Sequence, residues 1–267
     1  MNISKEQRKD SCERYQKIKE EIFDYFKKKK GREPVRLEED GKQFGIPWKE
    51  YEIGLSPILE GGLIIMGINP GKPKPGEEFD DSNGCRNNEP CEENLVYKIG
   101  KNSKYLYWLR LYQLFEEIGK LDLLESAFIT FLCFIRTHTA KEIKEKKEDI
   151  KESLEIHRKI IEYIKPKCIL CVGIGNPGFG WLYSKVKERN EIGDGEVRYD
   201  SCTYQHYNVC VAGVFDWRFP TISSPGRTIR VIGIPHISGR NIGRYGIRPG
   251  QAPWNKMVER LREYLPK

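Results

Sequence analysis

"LIIMGINPGKPKPG", which runs from Leu63 to Gly76, is the segment most informative about the architecture of this protein. A short apolar run that stops at Gly and Pro residues is typical of an interior strand followed by a tight loop. The polar side chain carried to the end of that strand is the amide of Asn69. Because parallel α/β sheets bind ligands at the carboxyl ends of their strands, this stretch predicts that Asn69 lies in a binding pocket.

Strand-like and helix-like segments alternate along the rest of the chain. Apolar runs predict strands at 62–68, 126–135, 168–174 and 228–235, and a strand-like pattern covers 207–215. Amphipathic periodicity predicts helices at 103–120 and 137–166, within 175–189, and at 252–265. The alternation predicts a single α/β domain at 61–267, in which helices cover both faces of a parallel sheet.

The first 60 residues have a different character. Residues 4–30 predict a helix with one apolar face, which ends at the lysine run 27–30 and Gly31. Residues 31–60 show no regular pattern. We therefore expect residues 1–60 to form a helical and irregular extension packed on the α/β domain.

Charge and hydropathy restrict the classes of partner. Lys and Arg outnumber Asp and Glu by 46 to 39, which gives a net charge of +7. A basic excess favours polyanions such as nucleic acid, although a surface rich in charges of both signs is an alternative, as in many thermophile proteins. No apolar run reaches the roughly 18 residues of a membrane helix. The charged N-terminus also lacks a signal-peptide core, so we expect a soluble intracellular protein.

The eight cysteines include one C-x-x-C pair, formed by Cys168 and Cys171. This pair lies in a predicted strand, where side chains three residues apart point to opposite faces. The prediction is therefore two buried free cysteines and no shared metal. Cys85 and Cys91 lie in a polar loop and can bridge or bind metal with Cys202, Cys210 or His206, but zinc spacing is absent.

A glycine-rich turn, "GIGNPGFG", follows the third predicted strand. Gly173, Gly175 and Gly178 match the spacing of a dinucleotide-binding fingerprint. The acidic residue expected at the end of the next strand is not evident, and Pro177 removes one backbone amide from any phosphate cradle. A strand-to-helix turn is the preferred interpretation, and a dinucleotide-dependent oxidoreductase remains the alternative.

The loop after the last predicted strand, "PHISGRNIGRYGIRPG", is rich in side chains that suit nucleic acid. His236 follows its strand as Asn69 follows the first one. Arg and Ser residues suit phosphate contacts, and Gly residues let the backbone approach a ligand closely. If the sheet is parallel, both loops gather on one edge, and His236 and Asn69 share a site.

Two motifs together, "GINPG" at 67–71 and "HISGRN" at 236–241, resemble those of the uracil-DNA glycosylase superfamily. The "GINPG" motif is similar to that of the mismatch-specific uracil/thymine branch, where G-I-N-P-G occurs, and is close to the G-M-N-P-G of the single-strand-selective branch. The "HISGRN" motif is similar to the superfamily's H-P-S loop. The resemblance covers about residues 60–240. It implies a four-stranded parallel sheet between helices and hydrolysis of the N-glycosidic bond of a damaged base in DNA.

The resemblance also implies a role for each matching residue. Asn69 would position the water, and His236 would stand beside the leaving base. The implied base-binding residues are Gly67, Ile68, Phe79 and Phe131. The implied DNA-binding residues are Gly71, Lys72, Ser238, Gly239, Arg240, Asn241 and Arg244.

The same resemblance sets expectations for cofactor, partner and location. Neither motif contains a Lys for a Schiff base, so we expect a monofunctional hydrolase without a lyase step, metal or cofactor. Its partner would be DNA with a damaged or mismatched base, and not a membrane. We expect a monomer in the cytoplasm, associated with the nucleoid.

Two residues depart from the superfamily pattern. Ile237 stands where Pro is usual, and Phe131 stands where several branches carry an Asn that recognises the uracil edge. The pocket can therefore suit another deaminated base, such as hypoxanthine. These departures also keep open a second hypothesis, a nucleic-acid-binding protein of this fold that has lost catalysis.

Overall fold

The computed structural model describes the second half of the chain nearly completely and the first half in short segments. The described residues are 6, 10, 13, 17, 37–39, 42–44, 59–68, 106–134, 142–143, 147–220, 226–238 and 245–266. The strands are β1 (Leu37–Glu39), β2 (Lys42–Phe44), β3 (Leu63–Gly67), β4 (Phe128–Phe131), β5 (Cys168–Val172), β6 (Arg198–Tyr204), β7 (Tyr207–Phe219) and β8 (Arg227–Ile234). The helices are α1 (Leu106–Ile118), α2 (Leu121–Glu125), α3 (Lys147–Ile164), α4 (Phe179–Glu188) and α5 (Ala252–Tyr264).

The main sheet has six strands in the order β4-β3-β5-β8-β7-β6. The first four are parallel, whereas β7 runs antiparallel to β8 and β6 antiparallel to β7. The prediction of an α/β fold with helices on both faces is confirmed. The prediction of a sheet of four strands, all parallel, is wrong, because the sheet is mixed and has six.

The two additional strands form a hairpin within residues 198–219. Its two-residue turn consists of Gln205 and His206, both with positive φ, at 45° and 69°. Two central residues of positive φ give the turn a twist that matches the flanking strands. Strand β6 has the sequence "RYDSCTY" and is not fully buried at any position. It therefore lacks the continuous apolar run by which the parallel strands are predicted.

The core has two apolar layers, one on each face of the sheet. Successive residues of β3 alternate between them, since Leu63 and Ile65 pack with α1 and α5, and Ile64 and Met66 pack with α3 and α4. A strand that is buried on both faces needs apolar residues at successive positions, which explains the continuous apolar run of β3. Cys168 and Cys171 are buried in opposite layers, which confirms the prediction for the C-x-x-C pair.

The predicted helices at 103–120, 175–189 and 252–265 correspond to α1, α4 and α5. The described part of the long helix predicted at 137–166 is α3, together with the helical residues 142–143. Across the parts of the chain that the structure describes, the helices fall short of the length or the apolar character that a bilayer crossing requires.

The N-terminal 60 residues are described only in part. Residues 6, 10, 13 and 17 are helical, in agreement with the helix predicted at 4–30. Strands β1 and β2 pair as a short antiparallel hairpin, within a stretch for which the sequence predicts no regular structure. The packing of residues 1–60 on the α/β domain stays a prediction.

The order of the parallel strands creates a topological switch point between β3 and β5. The chain passes from β3 outward to β4, and then returns to the other side of β3 to form β5. Ligands of open α/β sheets bind in the crevice outside the carboxyl ends of the strands at such a point. This edge of the sheet is therefore where the candidate site is expected.

Candidate functional site

The carboxyl ends of the four parallel strands define one edge of the sheet. Gly67 at the end of β3 is in register with Phe131 at the end of β4. Strand pairing continues beyond the strands, because the Gly173 amide donates to the Ile234 carbonyl at 2.8 Å. His236 follows two residues later. The residues implied as base-binding, Gly67 and Phe131, and the implied catalytic His236 therefore all belong to this edge.

Gly67 leaves little room for a side chain between the aromatic residues Phe131 and Tyr107. A Cβ at this position would lie 3.0 Å from Cδ1 of Phe131 and 3.5 Å from the hydroxyl oxygen of Tyr107. A larger residue would thus press against Phe131 and fill the space next to the Tyr107 hydroxyl. The glycine of the first motif is explained by this close approach, and Tyr107 is a site residue that sequence reasoning missed.

The side chain of Ile68, just after β3, packs against Gly173, just after β5. Gly173 has φ of 134°, and a Cβ there would lie 2.7 Å from Cδ1 of Ile68. The Ile68 carbonyl accepts a hydrogen bond from the Cys133 amide at 2.9 Å. Packing on one side and a hydrogen bond on the other fix the backbone that leads into the first-motif loop.

The Tyr107 ring connects the first motif to the second. Its centroid lies 5.9 Å from that of the His236 imidazole, with an interplanar angle of 43°. Its hydroxyl lies beside Gly67 at the end of β3, as described above. The residue two positions before Asn69 and the second-motif histidine therefore both lie beside the Tyr107 side chain.

The tautomer of His236 follows from its local hydrogen bonds. The backbone amide of Ser238 points at Nδ1 from 3.4 Å, and the Ser238 hydroxyl lies 3.3 Å from the same atom. An amide N–H can only donate, so Nδ1 is an acceptor and the ring proton is on Nε2. The surrounding protein also lowers the pKa of His236, because desolvation disfavours the charged ring. The site thus holds a neutral imidazole that can donate from Nε2.

Ile237 fastens the second motif to the core. Its side chain is completely buried in the layer that contains α1 and α5. The buried side chain holds the backbone of the adjacent residues His236 and Ser238 in place. An isoleucine can therefore fix this part of the loop at the position where the superfamily usually has Pro.

The β6–β7 hairpin, of which the sequence predicted only the strand-like stretch 207–215, supports the chain that returns from the second-motif loop. Gly246 has φ of 65°, and a Cβ there would lie 2.8 Å from Cζ of Tyr204. The rings of Tyr207 and Tyr245 meet edge to face, with centroids 5.7 Å apart. Tyr204 also donates to Oε1 of Gln251 at 3.0 Å. The hairpin tip thereby fixes the far end of the loop that carries the predicted DNA-binding residues.

His157, on α3, forms a hydrogen bond with the end of β4. Its Nε2 lies 2.8 Å from the Phe131 carbonyl oxygen, and its ring lies 4.7 Å from that of Phe134. Burial lowers the pKa of His157 to about 4, although backbone hydrogen bonds partly oppose that shift. The sequence showed no pattern for this residue, because it lies on the buried face of an amphipathic helix.

Two arginine side chains, Arg110 on α1 and Arg248 on the segment after the second motif, lie close enough to interact electrostatically. Arg110, one turn after Tyr107, stacks over the Trp254 ring at 5.9 Å. Its pKa is lowered by burial and then by the charge of Arg248, while Glu117 opposes the shift. Two neighbouring guanidinium groups favour the binding of an anion.

The remaining residues of the predicted site lie outside the described part of the chain. They are Asn69, Gly71, Lys72, Phe79, Gly239, Arg240, Asn241 and Arg244. Their assigned roles stay predictions.

Backbone hydrogen bonds within the glycine-rich turn after β5 hold it in a compact conformation. The Phe179 amide donates to the Gly173 carbonyl at 2.8 Å, and the Gly180 amide to the Gly175 carbonyl at 3.2 Å. A Cβ on Gly178 would collide with the Gly173 carbonyl oxygen. The amides at the start of α4 are thus engaged within the turn. This geometry favours the structural interpretation over a pyrophosphate cradle.

The cysteines of the described residues are free. They are Cys133, Cys168, Cys171, Cys202 and Cys210. Within the described ranges, no group of three or more His, Cys, Asp and Glu side chains is arranged to hold a metal ion. Cys85 and Cys91 lie outside those ranges.

Comparison with known proteins adds no assignment. The chain matches neither a model of a known protein family nor a curated protein.

Proposed function

We propose that this protein is a monofunctional DNA glycosylase that hydrolyses the N-glycosidic bond of a flipped, deaminated or mismatched base, with an active site of the uracil-DNA glycosylase type. One observation carries the proposal. Tyr107 lies beside both Gly67, two positions before Asn69, and His236, which supports a single site formed by the two motifs at this edge of the sheet. That edge is also the topological switch point of the sheet.

His236 would stabilise the leaving base. Cleavage of the bond leaves positive charge on the sugar and negative charge on the base. The neutral imidazole, fixed by Ser238, can donate its Nε2 proton as a hydrogen bond to the base oxygen on which charge develops. Removal of such a preorganised donor typically costs about 3 kcal/mol of transition-state stabilisation, or roughly a hundredfold in rate.

Asn69 would orient the attacking water. An amide does not titrate near neutral pH, so it cannot act as a strong base. Its carbonyl oxygen can accept a hydrogen bond from a water molecule and aim it at C1′ of the sugar. This is a contribution of position, which raises the rate by holding the reactants in the reactive geometry.

DNA binding would supply the energy for flipping. A base inside a duplex is out of reach, and extruding it costs a few kcal/mol. The net charge of +7 and the neighbouring Arg110 and Arg248 favour the phosphate backbone. Phe131, buried against Gly67, offers an aromatic wall where an amide is absent. The pocket thus has no Asn at this position to select uracil, which leaves other deaminated bases as substrates.

A lesion panel tests the proposal directly. Single-stranded and duplex oligonucleotides carrying uracil, hypoxanthine or a G·T mismatch are incubated with the protein, and abasic sites are measured after alkaline cleavage. We expect abasic product on at least one lesion, and a fall of 10²- to 10³-fold in rate for Asn69→Ala and His236→Ala. Asn255→Ala, which removes an exposed amide from α5, is the matched control and should retain full activity.

Two results would contradict this function. Absence of abasic product on every lesion, at all temperatures at which the protein stays folded, would exclude it. Salt-sensitive DNA binding that Asn69→Ala leaves unchanged, without any cleavage, would instead support the second hypothesis of a binding protein that has lost catalysis.

A further inference from the structure

The Tyr107 hydroxyl is a buried polar group without a hydrogen-bond partner among the described residues. Tyrosine hydroxyls almost always find a partner when they are buried, because an unsatisfied donor destabilises the fold. Another tyrosine on the same helix follows that rule, since Tyr112 donates to Oε1 of Glu116 at 3.1 Å. Arg110 Nε on this helix is also unpaired, but the same guanidinium donates from Nη1 to Oε1 of Gln113 at 3.1 Å. The side chain of Tyr107 has one polar atom and no partner for it among the described residues, so it requires an explanation of its own.

The position of this hydroxyl is the candidate site itself. It lies next to Gly67, on the side where a Cβ would be 3.5 Å away, and the Phe131 ring borders the same glycine. The centroid of the His236 imidazole lies 5.9 Å from that of the Tyr107 ring. Gly67, Ile68 and Phe131 offer no polar side-chain atom. Among these neighbours at the carboxyl edge, Tyr107 and His236 therefore carry the side chains that can form hydrogen bonds.

The protonation state of Tyr107 suits a donor. Burial raises the pKa of its hydroxyl above the ordinary value, because the phenolate would lack solvation. The hydroxyl therefore keeps its proton throughout the physiological range. It can donate one hydrogen bond and accept another.

We propose that Tyr107 is a base-recognition residue, whose hydroxyl donates a hydrogen bond to an exocyclic carbonyl oxygen of the flipped base. The inference rests on the proposed glycosylase function and adds a specificity-determining residue to it. Tyr107 and His236 are close enough for one planar heterocycle to touch both. Deamination replaces an exocyclic amino group by an oxygen, which provides the acceptor that the hydroxyl lacks in the free protein.

The test compares two variants that each remove one hydroxyl from α1. Tyr107→Phe removes the unpaired hydroxyl, and Tyr112→Phe removes the one bonded to Glu116. Single-turnover cleavage rates are measured on the lesion that the wild-type protein cuts fastest, and melting temperatures are measured without DNA. We expect Tyr107→Phe to lose at least tenfold in rate, with a melting temperature equal to or above that of the wild type. Tyr112→Phe should show the opposite behaviour, with a lower melting temperature and an unchanged rate.

A further arm tests the chemical group that is recognised. On the same base with its exocyclic oxygen replaced by hydrogen, the wild-type protein and Tyr107→Phe should cut at equal rates, because the hydroxyl then has no acceptor. Wild-type cleavage that stays tenfold faster than that of Tyr107→Phe on this analogue would overturn the proposal.

The outcomes separate this inference from the function on which it rests. If the wild-type protein cuts no lesion, the proposed function and this inference both fail. If it cuts a lesion and Tyr107→Phe cuts equally well, only the role of Tyr107 fails. A fall in the melting temperature of Tyr107→Phe would show that the hydroxyl is already partnered in the free protein, and would also overturn the proposal.

Discussion

Acid should destabilise this fold through one buried side chain, His157. The residue is only 1% exposed, and its neighbours are the Phe131 carbonyl and the Phe134 ring. Burial lowers its pKa to about 4, against an ordinary value of 6.5. Protonation in the folded state therefore requires placing a charge between an aromatic ring and the end of β4.

The sign and size of the effect follow from proton linkage. Above pH 6.5 the imidazole is neutral in both the folded and the unfolded chain. As the pH falls from 6.5 to about 4, the unfolded chain binds a proton that the folded protein does not, so the free energy of unfolding falls. Each pH unit in this window is worth 1.36 kcal/mol. The gap of about 2.5 units between the two pKa values thus predicts a loss of about 3 kcal/mol.

Urea unfolding of the wild type and of His157→Gln between pH 7.5 and pH 4 measures this loss. Glutamine can still donate to the Phe131 carbonyl, but it does not titrate. The carboxylates titrate in both proteins and cancel in the comparison. We expect the stability difference between wild type and variant to shrink by about 3 kcal/mol from pH 7 to pH 4. Stability curves that stay parallel over this range would refute the burial of a neutral imidazole.

Two further predictions concern the loops at the carboxyl edge. Ile237→Ala leaves a cavity at a completely buried position, so it should lower the free energy of unfolding, measured by urea titration, by about 3 kcal/mol. It should also reduce any activity that depends on His236. A loss below about 1 kcal/mol would contradict the anchoring role of Ile237. Gly178→Ala should lower the free energy of unfolding by more than about 2 kcal/mol, because the new Cβ would strike a backbone carbonyl at a residue whose φ is 144°. Gly175 has open space around it, so the stability of Gly175→Ala should stay within about 0.5 kcal/mol of the wild type. Similar losses of stability in both variants would contradict the close packing of this turn.

The parallel part of the sheet could be predicted from the sequence because its strands are buried on both faces. Strand β3, with Leu63, Ile64, Ile65 and Met66 all buried, needs apolar side chains at every position and so leaves a continuous run. Strand β6 is different, because each of its residues is exposed or only partly buried, and its contacts with α5 include polar ones. Asp200 accepts from the Tyr264 hydroxyl in this interface. A strand stabilised in that way has no apolar signature, and the sheet was therefore predicted too small.

The site could be predicted only as far as strand ends mark it. Gly67 and His236 follow apolar strands, and a parallel sheet brings such positions together. Tyr107 and His157 have no comparable signal, because each lies on the buried face of an amphipathic helix, where the pattern indicates only core packing. Their roles arise from contacts with residues distant in sequence, Gly67 and Phe131 respectively. Helical periodicity cannot reveal such contacts.

Desolvation by the surrounding protein gives the two hydrogen-bonding groups of this edge a shared property, the absence of charge. It raises the pKa of Tyr107 and lowers that of His236, so both side chains are neutral donors at physiological pH. A cation at this position would bind an anionic group strongly before any reaction, whereas a neutral donor gains most when charge develops on its partner. Interactions that strengthen in the transition state raise the rate, and equal binding of ground and transition states does not. Under the proposed function, the positive charge needed for DNA is therefore best kept on residues such as Arg110, away from the base, and the base meets neutral donors that act as the bond breaks.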